Sequence, residues 1–251
     1  MVKIIMHGCN GAMGQTISRI AAEDPDIEIV AGIDVQNEKN NAYPVYSSLE
    51  ECREEADVIV DFASAKAVDG LLDYSAKNKI PVVLCTTGLS SQQLEKVEET
   101  SRQVAVLRSA NMSLGVNLLL KLVQEAAKVL AAADFDIEIV EKHHNKKVDA
   151  PSGTALALAD SINQAMDQVY HYKYDRSAVR EKRDKHEIGI QAVRGGNIVG
   201  EHDVIFAGED EVITFQHIAY SKAIFGKGAL SAAKYLAGKK PGIYTMADVI
   251  G

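Results

Sequence analysis

A dense run of proton-carrying side chains stands in the middle of the chain. Glu141-Lys142-His143-His144-Asn145-Lys146-Lys147-Val148-Asp149 leads into Ala150-Pro151-Ser152-Gly153-Thr154 and then into a helical pattern over residues 155–166. Two histidines and three lysines fall within six positions of a protein whose net charge is −8, so this is the local positive patch a small anionic substrate needs. Imidazole changes charge near pH ~6.5 and can give or take a proton at neutrality. Ser152-Gly153-Thr154 stands where a helix begins, so its amides and hydroxyls can hold a carboxylate. A plainer reading also fits, namely a solvated basic loop followed by a helix capped by Ser152 or Thr154. A metal centre is disfavoured, because adjacent histidines on a strand point to opposite faces and no third ligand stands at a suitable spacing.

A second stretch has the chemistry of an anion cradle. The apolar run ending at Met6 passes into Gly8-Cys9-Asn10-Gly11-Ala12-Met13-Gly14, which opens a helix. Glycines permit a tight turn and close approach of the backbone to a pyrophosphate, and a helix N-terminus offers free amides to the same anion. Asp34 lies at the end of the next strand pattern, where a carboxylate accepts hydrogen bonds from an adenosine ribose. The spacing G-x-x-G-x-x-G departs from the usual dinucleotide pattern, and a ligand-free glycine turn with an ordinary strand-end acid is the alternative. Val35 follows Asp34 where a reader of a 2′-phosphate often has arginine, which favours NADH over NADPH, although Lys39 could reach across. Cys85-Thr86-Thr87-Gly88 and Ser109-Ala110-Asn111-Met112 are further turns expected on the same edge, suited to a crevice floored by backbone or to turn chemistry alone. Cys9 and Cys85 read as small packing residues. Together the two stretches suggest hydride delivery from a nicotinamide to a small anionic acceptor, with a histidine or lysine supplying the proton.

The elements that must position these groups follow from periodicity. Strand patterns at residues 3–6, 27–33, 57–63, 82–85 and 104–107 are apolar on both faces, and helical patterns at 11–22, 66–77 and 92–102 separate them. That alternation predicts βαβ units of a parallel sheet with its ligand along the strand C-termini. Residues 114–131 form the clearest amphipathic helix, with Val116, Leu119, Leu120, Val123, Ala127 and Leu130 on one face. Beyond it, residues 135–140, 187–193, 203–206 and 212–217 alternate apolar and polar, which predicts a mixed or antiparallel sheet with one wet face. Residues 170–185 are expected to be an exposed loop, and a helix over 221–236 and a tail over 241–251 end the chain.

Composition bounds the function classes. The chain has 251 residues, 47% of them hydrophobic and 25% charged, as in ordinary globular proteins and unlike disordered chains. The acidic balance, 27 Lys plus Arg against 35 Asp plus Glu, argues against a nucleic-acid partner. No apolar run reaches the roughly 18 residues of a membrane span. The N-terminus does not read as a signal peptide, and three cysteines without a CxxC pair suit a reducing compartment, so a cytoplasmic location is expected.

The same motifs resemble those of the 4-hydroxy-tetrahydrodipicolinate reductase family, also called dihydrodipicolinate reductase. The family's G-x-x-G-x-M-G turn stands at residues 8–14, and its signature E-x-H-H-x-x-K-x-D-A-P-S-G-T-A runs unbroken from Glu141 to Ala155. The likeness extends through Thr86-Thr87-Gly88, Ala110-Asn111, Gly200-Glu201-His202 and Met246-Ala247-Asp248-Val249. It implies an α/β protein with a Rossmann-type N-terminal domain over 1–111, rejoined by 225–251. An α+β substrate and tetramerisation domain with a mixed sheet would occupy 112–224. It also implies reduction of the cyclic hydroxy-imine dicarboxylate to tetrahydrodipicolinate by NADH or NADPH, with loss of water. His143 then matches the proton donor/acceptor and Lys147 the proton donor, while His144, Gly153 and Thr154 match the dicarboxylate contacts. Gly8, Cys9, Asn10, Gly11, Ala12, Met13, Asp34, Cys85, Thr86, Thr87, Ser109, Ala110, Asn111 and Met112 match the cofactor contacts. Ala12 and Val35 stand where some members carry a basic residue. Two other readings keep the nucleotide site, a dehydrogenase of another substrate and a sensor of the NADH/NAD⁺ ratio without chemistry.

Overall fold

A computed structural model describes residues 1–36, 40–109 and 111–251. The chain divides into two compact units, Met1–Leu114 with Ala223–Gly251, and Gly115–Lys222. The first unit contains β1 (Val2–His7), α1 (Ala12–Ala21), β2 (Ile27–Ile33), β3 (Val45–Tyr46), β4 (Val58–Asp61), α2 (Val68–Asn78), β5 (Val82–Leu84), α3 (Ser91–Ser101) and β6 (Ala105–Arg108). The C-terminal return adds α6 (Ala223–Leu236), β12 (Gly242–Tyr244) and α7 (Met246–Ile250). Its seven strands are ordered β12-β6-β5-β4-β1-β2-β3 and all pair in parallel.

Alternate residues of each strand feed two cores, which is why the strands read as unbroken apolar runs. Ile4, Met6, Val58, Val60, Val83 and Leu107 pack with Ile17 of α1 and Ala229, Ala233 and Leu236 of α6. Ile5, Ile59, Val82, Leu84 and Val106 pack with Leu71 and Leu72 of α2 and Val97 of α3 on the other face. Helix α3 starts at a capping box in which Ser90 and Gln93 satisfy each other's backbone amides. Strand order reverses between β1 and β4, and that reversal opens a crevice at the C-terminal edge of the sheet. The Rossmann-type parallel sheet expected from the sequence is present. Periodicity missed β3 and β12, which have two and three residues, because no period can show in so few.

The second unit contains α4 (Leu114–Leu130), β7 (Asp136–His143), α5 (Gly153–Ala165), β8 (His171–Lys173), β9 (Glu187–Arg194), β10 (Gly200–Ala207) and β11 (Val212–Ala219). Its sheet, ordered β11-β10-β7-β9-β8, is mixed: β7 pairs in parallel with β9 and antiparallel with β10. One face carries the core, with Ile137, Ile139, Ile188, Ile190, Val204 and Phe206 packed on Leu119 and Val123 of α4 and Leu158 and Ile162 of α5. The opposite face is polar, and there the Glu138 carboxylate occupies the space a side chain on Gly189 would need.

The expectation of an exposed loop over 170–185 is corrected in part. His171–Lys173 pairs as β8 along β9, and Arg183 fastens the segment to the sheet. Its guanidinium donates to Glu138 at 2.9 Å, to Asp136 at 2.8 Å and to the Ile137 carbonyl at 2.8 Å. These pairings are long-range in sequence, so local periodicity carries no trace of them. Among the described residues no helix is long and apolar enough to cross a membrane.

Candidate active site

In the first unit, the glycine turn follows β1 and delivers α1. Gly8 has φ +82°, and a Cβ there would lie 2.8 Å from the Phe62 carbonyl carbon. A Cβ on Gly14 would lie 2.2 Å from the Gly8 carbonyl oxygen, so this turn exists only with glycine at both places. Gly11 is the N-cap of α1 and no side chain caps the helix, which leaves first-turn amides for an anion. Asp34 follows β2 and accepts from the Asn10 amide at 2.9 Å and the Gln36 amide at 3.0 Å, each oxygen keeping a lone pair for a ribose hydroxyl. An amide relay holds the turn: Gln15 donates to Asn41 at 2.8 Å, Asn41 to Asn10 at 2.8 Å, and Asn10 to the Gln36 carbonyl.

Beside this turn lies a cavity of about 480 Å³, lined by Gly8, Gly11, Asp34, Val35, Phe62 and Ala63 among others. The turn and the cavity have the glycine positions, free helix end and acid that the adenosine diphosphate half of a pyridine dinucleotide requires. At the ends of β5 and β6, Thr86 turns its hydroxyl inward to Asp61 at 2.6 Å and Thr87 is exposed, while Asn111 accepts from the Ser113 amide at 2.8 Å. Met112 and Cys9 are buried in the core, so only their backbones are available to a ligand. Burial and the neighbouring Asp34 push the Cys9 thiol up to about 11, and burial with Asp61 pushes Cys85 well up. Both are packing thiols rather than nucleophiles. Ala110 and Lys39 lie outside the described residues.

In the second unit the signature residues gather around one buried carboxylate. Glu141 on β7 is fully buried and accepts four hydrogen bonds from three groups: Arg194 at 2.6 and 2.7 Å, His143 Nδ1 at 2.6 Å and the Ser152 amide at 2.8 Å. Burial alone would push its carboxyl up, but Arg194, His143 and the amide outweigh that and hold it below the usual carboxylate range. Being two residues apart, Glu141 and His143 share a strand face. The ionised carboxylate fixes a proton on Nδ1 and leaves Nε2 as the nitrogen available for proton transfer. A side chain on Gly200 would come within 3.1 Å of that Nε2, and glycine keeps the space open.

Ser152 caps α5 by accepting from the Ala155 amide at 3.1 Å and also bonds His202 Nε2 at 2.9 Å. Burial, aided by the charges of His143 and its neighbours, lowers the His202 pKa to about 4, so this ring is neutral at physiological pH. Gly153 is exposed at the first turn of α5 with open space over it, and Thr154 follows. His144 follows β7 with a buried Nδ1 that has no partner among the described residues, and Lys147 pairs with the half-exposed Asp149 at 2.8 Å. The lysine holds the Asp149 carboxyl below its ordinary range.

The sequence-based nucleotide contacts therefore fall in the first unit, and His143, His144, Lys147, Gly153 and Thr154 fall in the second. Sequence reasoning assigned no role to Glu141, Arg194, His202 or Asp61. Glu141 was accessible through strand period two. Arg194 was not, since the β7–β9 register brings it opposite His143 from a distant part of the chain.

A switch-point parallel sheet with a glycine-turn cradle, together with a second unit carrying clustered imidazoles and a lysine, is the make-up of a pyridine-nucleotide-dependent oxidoreductase. Residues 2–112 match the N-terminal profile and residues 115–250 the C-terminal profile of the family described as dihydrodipicolinate reductase. The chain is 57% identical over 250 residues to the 4-hydroxy-tetrahydrodipicolinate reductase of Caldanaerobacter subterraneus subsp. tengcongensis, covering 100% of this chain and 98% of that one. It is 48% identical over 250 residues to the Clostridium novyi enzyme of the same name, with 100% and 98% coverage. A solved structure described as a dipicolinate-bound dihydrodipicolinate reductase from Paenisporosarcina sp. TG-14 superposes with a TM-score of 0.82 at 24% identity, over 99% of each chain.

The chain belongs to the dihydrodipicolinate reductase family. Its reaction is the reduction of 4-hydroxy-tetrahydrodipicolinate on the diaminopimelate route to lysine. Relatives of that name at this identity and coverage decide for this reductase over a dehydrogenase of another substrate or a sensor without chemistry.

Proposed function

We propose that His143 and Lys147 manage the proton of this reduction and that His144, Gly153 and Thr154 hold the carboxylates of the substrate. The observation that carries the reading is the Glu141 carboxylate, which joins the His143 ring to the amide of Ser152 at the head of α5 in one buried network. When bound, the reduced nicotinamide would supply a hydride to C4 of the ring once the C4 hydroxyl has left as water, giving tetrahydrodipicolinate. The His143 imidazolium, held through Nδ1 by Glu141, donates its Nε2 proton and so offsets the negative charge that develops on the conjugated system. Lys147 exchanges its half-exposed partner Asp149 for a substrate carboxylate and donates from Nζ. The unpartnered Nδ1 of His144 and the first-turn amides at Gly153 and Thr154 are the donors a dicarboxylate needs. A dipicolinate ligand, named for the solved relative, is a dicarboxylate of this kind.

The first unit is the nucleotide domain in this reading. Its contacts are Gly8 to Met13, Asp34, Cys85 to Thr87 and Ser109 to Met112, of which Ala110 lies outside the described residues. NADH is the preferred reductant, because Asp34 accepts a ribose diol and repels a 2′-phosphate, and the neighbouring Val35 is 88% exposed without charge. Residues 112–224, which take in the second unit, are the substrate and tetramerisation domain of a cytoplasmic enzyme in this reading. In support of self-association, Val212, Ile213, Ile218 and Tyr220 expose apolar surface along and just past β11.

The test follows nicotinamide absorbance with substrate made in situ from pyruvate and aspartate semialdehyde by the preceding synthase. Synthase-dependent oxidation with kcat/KM for NADH well above that for NADPH is expected, and equal values would refute the preference. His143→Ala and Lys147→Ala each lower kcat by roughly 10²–10⁴-fold with NADH binding retained. Unchanged kcat removes the residue from the mechanism.

A further inference from the structure

We propose that His7 is the cation of the nucleotide cradle: its ring, clamped by Asp61, presents Nε2 to the diphosphate of the dinucleotide and takes up a proton as the dinucleotide binds. This rests on the nucleotide reading of the first unit and on nothing in the second.

His7 is the last residue of β1, directly before Gly8, and pairs in register with Asp61 of β4. Its residue surface is 7% exposed and that of Asp61 is 0%. Three donors converge on the Asp61 carboxylate: His7 Nδ1 at 2.8 Å, the Thr86 hydroxyl at 2.6 Å and the Ala63 amide at 3.2 Å. Among the described residues no lysine or arginine pairs with Asp61, so the His7 ring is the basic side chain beside it. An ionised carboxylate accepts only, so Nδ1 carries hydrogen. Nε2 has no partner among the described residues, and His7 is one of the residues lining the cavity together with Gly8, Gly11 and Asp34.

Charge around that cavity makes the nitrogen's role specific. Its described wall holds the carboxylates of Asp34 and Glu50 and no lysine or arginine. Lys66, on the turn preceding α2, is exposed and not part of the wall. Ala12 and Val35 occupy the two places where some members of the family carry a basic residue. Among the described lining residues, a doubly charged diphosphate therefore meets one group able to become positive, the His7 ring. With Nδ1–H fixed, a neutral ring offers a lone pair at Nε2 and repels a phosphate oxygen, whereas protonation turns the same atom into a charge-assisted donor. Diphosphate binding and protonation are then linked, and affinity rises as pH falls. The other titratable groups around the ring are Asp61 from β4, Asp34 after β2, Glu50 from the turn after β3, and the thiols of Cys9 and Cys85. Burial pushes both thiols upward, away from the neutral range.

Calorimetry of ADP-ribose and NADH binding to the full, substrate-free chain decides this, using buffers of different ionisation enthalpy. ADP-ribose carries the diphosphate and has no phosphate group titrating near neutrality. The wild type is expected to take up a measurable fraction of a proton and to lose affinity roughly three- to tenfold between pH 6.5 and 8.5. His7→Asn, which keeps a donor for Asp61 and cannot become charged, is expected to bind roughly tenfold more weakly at pH 6.5, without pH dependence. It should also raise KM for NADH more than it lowers kcat. No proton uptake by the wild type, or equal affinity in His7→Asn, overturns the proposal and leaves the nucleotide reading standing. If the wild type binds neither ligand at any pH, both fall. The proton-uptake measurement needs no variant and decides the matter should His7→Asn not fold.

Discussion

The two units build their sites from opposite materials. In the first, the groups aimed at a ligand are mostly backbone: amides at the head of α1, carbonyls of a turn, and glycines whose missing side chains keep that turn closed. In the second they are side chains held by other side chains, with Glu141 as the hub and Arg194, His143 and the Ser152 amide as its donors. A backbone site tolerates exchange of most neighbouring side chains but not the addition of one carbon. A side-chain network tolerates carbon and fails when one charge is removed, because the groups left behind are buried without partners.

Removing that charge is the harshest test of the contrast. Arg194→Met strands the Glu141 carboxylate, and a loss of about 3–5 kcal/mol is expected by urea denaturation. Replacing the hub itself by Glu141→Gln should restore part of the stability in the double variant while kcat stays low, since the His143 ring then loses its orienting anion. Equal stability of Arg194→Met and the wild type would show that the network is not a network. Next in size is Gly14→Ala, whose new carbon would lie 2.2 Å from the Gly8 carbonyl oxygen. It is expected to weaken NADH binding by roughly 100-fold and to destabilise by about 1–3 kcal/mol through a shifted turn. Gly153→Ala, with open space at the same point, serves as its control for folding.

The smallest effect separates the units by pH. His202 is held neutral down to about pH 4, whereas the unfolded chain takes up that proton near its ordinary value of 6.5. Stability therefore drops as pH falls through the window between those values, by about 2 kcal/mol at pH 5. His202→Gln should flatten this acid limb in urea titrations at pH 7 and pH 5. An unchanged limb would assign it to other groups.

What the sequence disclosed followed the same division. A glycine turn is a local demand of the backbone, so Gly8, Gly11 and Gly14 announce it within seven positions, and Asp34 follows at the next strand end. The parallel sheet was equally plain, because strands buried on both faces read as continuous apolar runs. The signature from Glu141 to Ala155 was visible as a patch of charge, but its organisation was not. Arg194 reaches Glu141 only through the β7–β9 pairing, and His202 reaches Ser152 only from β10. Likewise, Arg183 made residues 170–185 look free in sequence while tying them to Asp136 and Glu138 in space. Contacts of this kind depend on strand register, which no local pattern records.

The return of the chain to its first unit has a bearing on how the protein is made. Ala229, Leu230, Ala233, Leu236 and Met246 complete the core under β1, β4 and β6, and β12 supplies an outer strand of that sheet. During synthesis from the N-terminus, residues 115–222 emerge whole and can close upon themselves, while the unit begun first waits for the last thirty or so residues. Until then Ile17, Met6 and Val60 lack the helix that covers them. The nascent nucleotide half is therefore the part a chaperone would meet, and ribosomes stalled before residue 223 should release chains whose earliest residues are the most easily cut by protease.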